Sequence, residues 1–160
     1  MIIEYTKKDI SKILYVINDA AKKYKGIIPD DCWHEPYMSE KELLSEFKDE
    51  VRMFGYIKNN KLIGVIGFQK IKDVILIRHA YTLTLNQGKG VGSILLEFLL
   101  KKNLNSRLLV GTWRKATWAI QFYEKFDFIA HAKDESTLLL KKYWNIPLKQ
   151  IENSIVLERC

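Results

Sequence analysis

The chain has 160 residues, close to half of them apolar, which suits one domain spanning 1–160 with a sizeable core. Its 26 Lys and Arg against 19 Asp and Glu give a formal charge of +7, fitting either a nucleic-acid binder or an enzyme whose cofactor is a polyphosphate. No apolar run reaches the roughly 18 to 20 uncharged residues of a membrane span, the charged start "MIIEYTKKDISK" is unlike a signal peptide, and Cys32 and Cys160 match no metal-ligand spacing, so the expectation is a cytoplasmic protein with free thiols, no metal and no membrane partner.

In chain order, Ile2 to Tyr5 reads as a short strand, followed by a helix from about Lys8 to Tyr24 with Ile10, Ile13, Leu14, Ile17, Ala21 and Tyr24 on one face. Periodicity stops from Lys25 to Met38, a loop broken by Gly26, Pro29 and Pro36 and rich in Trp33, His34, Glu35 and Tyr37. Ser39 with Glu42 is a capping-box signature for a helix to about Glu50. "VRMFGYIKNNKLIGVIGFQKI" reads as a hairpin turning at Asn59-Asn60, and a long strand, Val74 to Leu85, leads into "NQGKGVG". Beyond it Val91, Ile94, Leu95, Phe98 and Leu99 form a helical stripe, Arg107 to Thr112 a strand, and Thr117 to Phe126 a helix with Ala119, Phe122, Tyr123 and Phe126 on one face. Strands at Phe128 to His131 and Ser154 to Leu157, with a short helix at Asp134 to Tyr143 between them, close the chain. The expected class is α/β, a mixed and mostly antiparallel sheet flanked by helices.

The basic residues fall in scattered pairs (Lys7-Lys8, Lys22-Lys23, Lys101-Lys102, Lys141-Lys142), as on solvated helix faces, and the aromatics fall mostly on core stripes or in the loop at 25–38. Both facts argue against a nucleic-acid partner. The glycine run after the long strand is a sharper signal. A strand entering a glycine turn and then a helix aims unpaired backbone N–H groups, and the positive end of the helix dipole, at one point. Such a point holds an anion. The run lacks the GxxxxGK of a P-loop, and a dinucleotide fingerprint from Gly88 would need a glycine where Ser93 stands.

What does fit is Gln/Arg-x-x-Gly-x-Gly/Ala, met by Gln87, Gly90 and Gly92, and at this point the chain resembles the GNAT superfamily of acetyl-CoA-dependent N-acyltransferases. "WAIQFYEKFDF", Trp118 to Phe128, is similar to the family's second signature, A-I-x-F-Y-E-K-x-G-F, at the family's usual distance from the first. Asp127 stands where the family has glycine and Ala116 where many members have asparagine. Asp is among the few residues that visit the left-handed backbone region readily.

The resemblance implies a GNAT fold with a strand–loop–helix cofactor site and transfer of acetyl from acetyl-CoA (coenzyme A) to a primary amine. It implies that Gln87 belongs to the cofactor site and that backbone amides of Gly88, Lys89, Gly90, Val91, Gly92 and Ser93 take the pyrophosphate, with the Lys89 side chain adding charge or pointing to solvent. Ala80, Tyr81 and Thr82 would pair with the pantetheine arm, with Ala116, Ala119 and Tyr123 completing the cofactor contacts. It also implies that Tyr123 gives a proton or a hydrogen bond to the departing thiolate, unless its place on the apolar stripe makes it a core aromatic. The group that deprotonates the amine is open between His79, Glu35 and His34, since histidine titrates near neutrality. His79 and Arg78 should face opposite sides of their strand unless a bulge intervenes. Trp33, His34, Glu35, Arg78 and Trp113 are the expected acceptor-pocket residues, the acidic loop drawing a cationic amine and Arg78 suiting a carboxylate on the same small substrate. A GNAT-fold sensor that binds acetyl-CoA without transfer, a basic nucleic-acid-binding module and a homodimer remain open alternatives.

Overall fold

A computed structural model describes all residues, 1–160. Seven strands, β1 (Ile2–Tyr5), β2 (Arg52–Lys58), β3 (Lys61–Ile71), β4 (Val74–Thr82), β5 (Leu108–Trp113), β6 (Ile129–Ala130) and β7 (Ser154–Arg159), follow the sheet order β1-β2-β3-β4-β5-β7-β6. Six helices accompany them: α1 (Ile10–Ala20), α2 (Glu40–Lys48), α3 (Val91–Lys102), α4 (Thr117–Glu124), α5 (Lys133–Tyr143) and α6 (Leu148–Glu152). The class is mixed α/β with mostly antiparallel pairing, as the sequence implied. Two compact units share the chain: Met1–Lys23, His34–Lys70 and Ile77–Leu104 in one, and Tyr24–Trp33, Ile71–Leu76 and Asn105–Cys160 in the other.

In the first unit β1 pairs antiparallel with β2, and β2 with β3. The β2–β3 turn places Asn59 and Asn60 at φ 52° and 61°, the left-handed values a tight hairpin needs and asparagine tolerates. The first helix is shorter than its apolar pattern suggested, because 3-10 turns at Lys7–Asp9 and Ala21–Tyr24 replace its ends. Thr6 caps the start, its Oγ1 accepting from the Lys8 N–H while its own N–H donates to Asp9 Oδ2. Ser39 caps α2 as expected, accepting from the Glu42 N–H at 3.1 Å. Leu43, one turn in, is fully buried.

The seat of α3 is set by an absent side chain. A Cβ on Gly64 of β3 would stand 2.7 Å from Val91 Cγ1 and 3.1 Å from Leu95 Cδ1, so only glycine lets the first turns of α3 lie this close to the strand. Phe98 then meets Phe54 of β2 edge-on, ring centroids 5.1 Å apart. The buried face of α3 is Val91, Leu95, Leu96, Leu99 and Leu100, rotated from the expected stripe so that Ile94 is 41% exposed. The strand before it ends at Thr82 rather than Leu85, because Thr84 turns its N–H onto Asp19 Oδ2 of α1 at 2.8 Å and starts a 3-10 turn, Thr84–Asn86.

The second unit pairs β5 antiparallel with β7, and β6 with β7. Val74, Leu76, Leu109, Leu139, Leu140, Tyr143, Ile151 and Val156 form its core. The helix expected near Asp134 is α5; α6, led by Pro147 at its cap position, went unanticipated because five residues are too few to show a period. Fully buried Ser136 fixes α5 to β7 by accepting from the Val156 N–H at 3.0 Å.

Asp127, in the turn after α4, has φ 67° and is exposed. Glycine holds that conformation without the Cβ clash, so Asp127→Gly is expected to raise stability by up to about 1 kcal/mol, or roughly 2–4 °C in melting temperature. Thermal unfolding of the two proteins checks it.

Glu158 of β7 accepts from Arg107 Nε at 2.7 Å and from His131 Nε2 at 2.7 Å. The Arg107 hydrogen bond is the main cause that holds its carboxyl at about 2, against the opposing effect of burial. A depressed carboxylate stabilises the fold above its unfolded value and stops doing so as pH falls through its folded one. Parent stability should therefore drop between about pH 4.5 and 2, by about 3 kcal/mol at most from this group, and Glu158→Gln should flatten that slope. Urea midpoints across this range decide it.

Candidate functional site

The glycine loop of the first unit is held at both ends. On the strand side, Gln87 Nε2 donates to the Thr82 carbonyl at 3.1 Å, so the first residue of the Gln-x-x-Gly-x-Gly pattern braces the end of β4. On the helix side, Val91 lies over Gly64. Between them Gly88 and Gly90 have φ 75° and 83°, and a Cβ on either would meet nothing within 4 Å. These glycines are therefore required by backbone conformation, and the space in front of them is clear. Ile94 is the first helical residue to bond backward, to the Gly90 carbonyl at 3.0 Å, which leaves the amides of Val91, Gly92 and Ser93 ahead of the α3 ladder. Exposed Lys89 adds a positive charge to the loop.

Ala80, Tyr81 and Thr82, half-buried, complete β4, and just before them the strand is irregular. His79 has φ 53°, which breaks side-chain alternation, so Arg78 and His79 reach one carboxylate instead of opposite faces. That carboxylate belongs to Glu46 of α2: Arg78 Nη2 lies 2.7 Å and His79 Nε2 2.6 Å from its Oε1. Burial opposes ionisation of Glu46, but the His79 hydrogen bond and the charges of His79 and Arg78 outweigh it and hold the carboxyl below its ordinary value. Arg78 also donates through Nη1 to Gln69 Oε1 at 2.8 Å, and Gln69 Nε2 to the Asp49 carbonyl at 2.9 Å. Arg78 is thus engaged within the protein, which weighs against its expected role as a receptor for a substrate carboxylate.

His34 and Glu35 are exposed in the same unit. His34 Nδ1 donates to the Pro36 carbonyl at 2.8 Å, and its ring stacks on Tyr37.

In the second unit Tyr123 of α4 is 5% exposed, with Phe122 and Phe128 edge-on to it at 5.1 and 5.4 Å. Burial, with a smaller contribution from Tyr24, pushes its phenol well above the ordinary tyrosine range, so it stays protonated and keeps a hydrogen to donate. Ala116 is fully buried at the cap position of α4, where its methyl offers no oxygen, and Ala119 donates its N–H to the Ala116 carbonyl. Trp113, 7% exposed at the end of β5, and half-buried Trp33 belong to this unit. Glu46, Gln69 and Asp19 were invisible as site residues in the sequence, because each acts on a partner 9 to 65 positions away.

The sequence profile of the Acetyltransferase (GNAT) domain matches residues 4–137. Among solved structures, the chain is similar to the PaiA N-acetyltransferase from Thermoplasma acidophilum in complex with coenzyme A, at 19% identity and TM-score 0.72 over 99% of this chain and 97% of that one. It is also similar to the ribosomal-protein-S18-alanine N-acetyltransferase from Escherichia coli, at 18% identity and TM-score 0.69 over 99% and 91%. At such identities these likenesses show the fold. UPF0157 protein YqkA of Bacillus subtilis (strain 168) is 31% identical over 104 residues, a match covering 63% of this chain and 30% of that protein's length.

Proposed function

Because this chain belongs to the GNAT acetyltransferase family, we propose that it transfers the acetyl group of acetyl-CoA to a primary amine of a small acceptor. The observation that carries the reading is the glycine loop: two left-handed glycines facing clear space, directly ahead of helix amides that have no intrahelical partner. A pyrophosphate fits that chemistry, since it offers several anionic oxygens to N–H donors and the helix dipole. The family uses acetyl-CoA, and the Thermoplasma relative was crystallised with coenzyme A. When bound, acetyl-CoA supplies an activated thioester.

In this reading the amides of Gly88 to Ser93 hold the diphosphate, assisted by Lys89, while Gln87 keeps the loop on the end of β4. Ala80, Tyr81 and Thr82 offer backbone groups to the pantetheine arm, and Ala116 and Ala119 lie along the cofactor. Tyr123 gives its phenolic proton, or a hydrogen bond, to the departing sulfur from a hydroxyl that burial keeps protonated. His79 or Glu35 takes the amine proton. We assign Trp33, His34, Glu35 and Trp113 to acceptor recognition, with exposed Asp30 and Glu35 as the charges that attract a cation. No helix is long and apolar enough to cross a membrane, and both cysteines are free thiols.

Thermal-shift titration with acetyl-CoA, followed by thiol release against small amines, amino acids, polyamines and protein lysines, tests the assignment. Stabilisation with release on a small amine is expected. Stabilisation without release on any amine would leave a sensor, and release on protein lysines alone would remove the small acceptor.

A further inference from the structure

Attack by an amine on a thioester needs a group that accepts the amine's proton, and the first unit holds two side chains, Arg78 and His79, on one carboxylate oxygen. Glu46 Oε1 takes His79 Nε2 at 2.6 Å and Arg78 Nη2 at 2.7 Å, with Arg78 fixed by Gln69 at 2.8 Å and Gln69 by the Asp49 carbonyl at 2.9 Å. We propose that His79 is the base of the acetyl transfer, accepting the amine proton at Nδ1, and that Glu46 is the residue that positions it. This rests on the acetyltransferase reading above.

The atom assignment follows from hydrogen-bond chemistry. An ionised carboxylate only accepts, so the nitrogen 2.6 Å from it must carry the hydrogen. In the neutral ring the lone pair is then on Nδ1. Backbone geometry points the same way: φ 53° at His79 is an unfavourable conformation for a residue with a Cβ, and it is what turns the imidazole onto the carboxylate already bound by Arg78. An ordinary extended residue there would send the ring to the other face. The side chains of His79 and Glu46 are only 11% and 16% exposed, so the pair is largely sheltered from solvent. His34 and Glu35 are exposed on the loop, and His34 gives its Nδ1 hydrogen to a neighbouring carbonyl.

In the step, the amine lone pair forms the C–N bond as the carbonyl π pair moves to oxygen. An N–H bond then breaks, its electrons staying on nitrogen and its proton passing to Nδ1. The pair on oxygen then re-forms the carbonyl as the C–S bond breaks, and that bond's pair leaves on sulfur, which takes the Tyr123 proton. His79 returns its proton to solvent and solvent reprotonates Tyr123, so amine plus thioester gives amide plus thiol.

His79→Ala is expected to lower kcat by about a hundredfold or more, with the acetyl-CoA thermal shift unchanged and part of the turnover restored by added imidazole. Glu46→Gln, of the same shape without the charge, should lower kcat about tenfold or more at unchanged KM for acetyl-CoA. His79→Asn, which tolerates left-handed backbone, replaces the alanine variant if that one fails to fold. Full turnover in the His79 variant, or loss without imidazole rescue together with full turnover in Glu46→Gln, would overturn the pair while acetyl-CoA binding stood. If the parent shows neither thermal shift nor thiol release, the acetyltransferase reading fails, and this role with it.

Discussion

Tyr123→Phe is expected to lower kcat by about a hundredfold or more while changing the Kd of acetyl-CoA by no more than about twofold. The substitution removes one oxygen and leaves the ring, so packing against Phe122 and Phe128 survives and the loss falls on chemistry. Since burial keeps the phenol protonated beyond the ordinary tyrosine range, the donor is present at every working pH, and no alkaline limb below about pH 10 should trace to it. Steady-state thiol release, paired with thermal-shift titration, separates the two quantities. Unchanged turnover would return Tyr123 to a packing role.

Gly90→Val should abolish stabilisation by acetyl-CoA, raising its Kd about a hundredfold or more, a change of about 3 kcal/mol. Two effects combine. At φ 83° a residue with a Cβ is strained by about 1–2 kcal/mol, and a branched one by more. The added atoms also enter the clear space in front of α3, where our proposal puts the phosphates. Gly90→Asn separates these effects, because asparagine tolerates the backbone and yet fills the space. It should melt near the parent and still bind weakly. If Gly90→Val binds acetyl-CoA as the parent does, the pyrophosphate lies elsewhere.

Features that depend on neighbours in the chain were legible in the sequence: the turn at Asn59-Asn60, the Ser39 cap, the glycine loop and the left-handed Asp127. In each case a few adjacent residues carry the whole physical cause. The family signatures added Tyr123, which periodicity alone would have assigned to the core. What could not be read depends on distant partners. Nothing in the polar helix α2 marks Glu46 as the residue that holds His79, 33 positions on, and no glycine or asparagine announces the irregular backbone there. The rotation of α3 that exposes Ile94 and buries Leu96 also follows from the strand it packs on, not from its own pattern.

The anchoring of the glycine loop has a kinetic consequence. Asp19 holds Thr84 and Gln87 holds Thr82 on one side, and on the other Val91 is seated over Gly64, so the short segment from Gly88 to Gly90 spans two fixed points. Little chain entropy is left to lose when an anion arrives, and no loop has to fold before it is received. Association with acetyl-CoA should then be a single phase whose rate rises linearly with concentration, without the plateau that a slow ordering step would impose. In this protein the tightness of the complex would be decided by how slowly the ligand leaves.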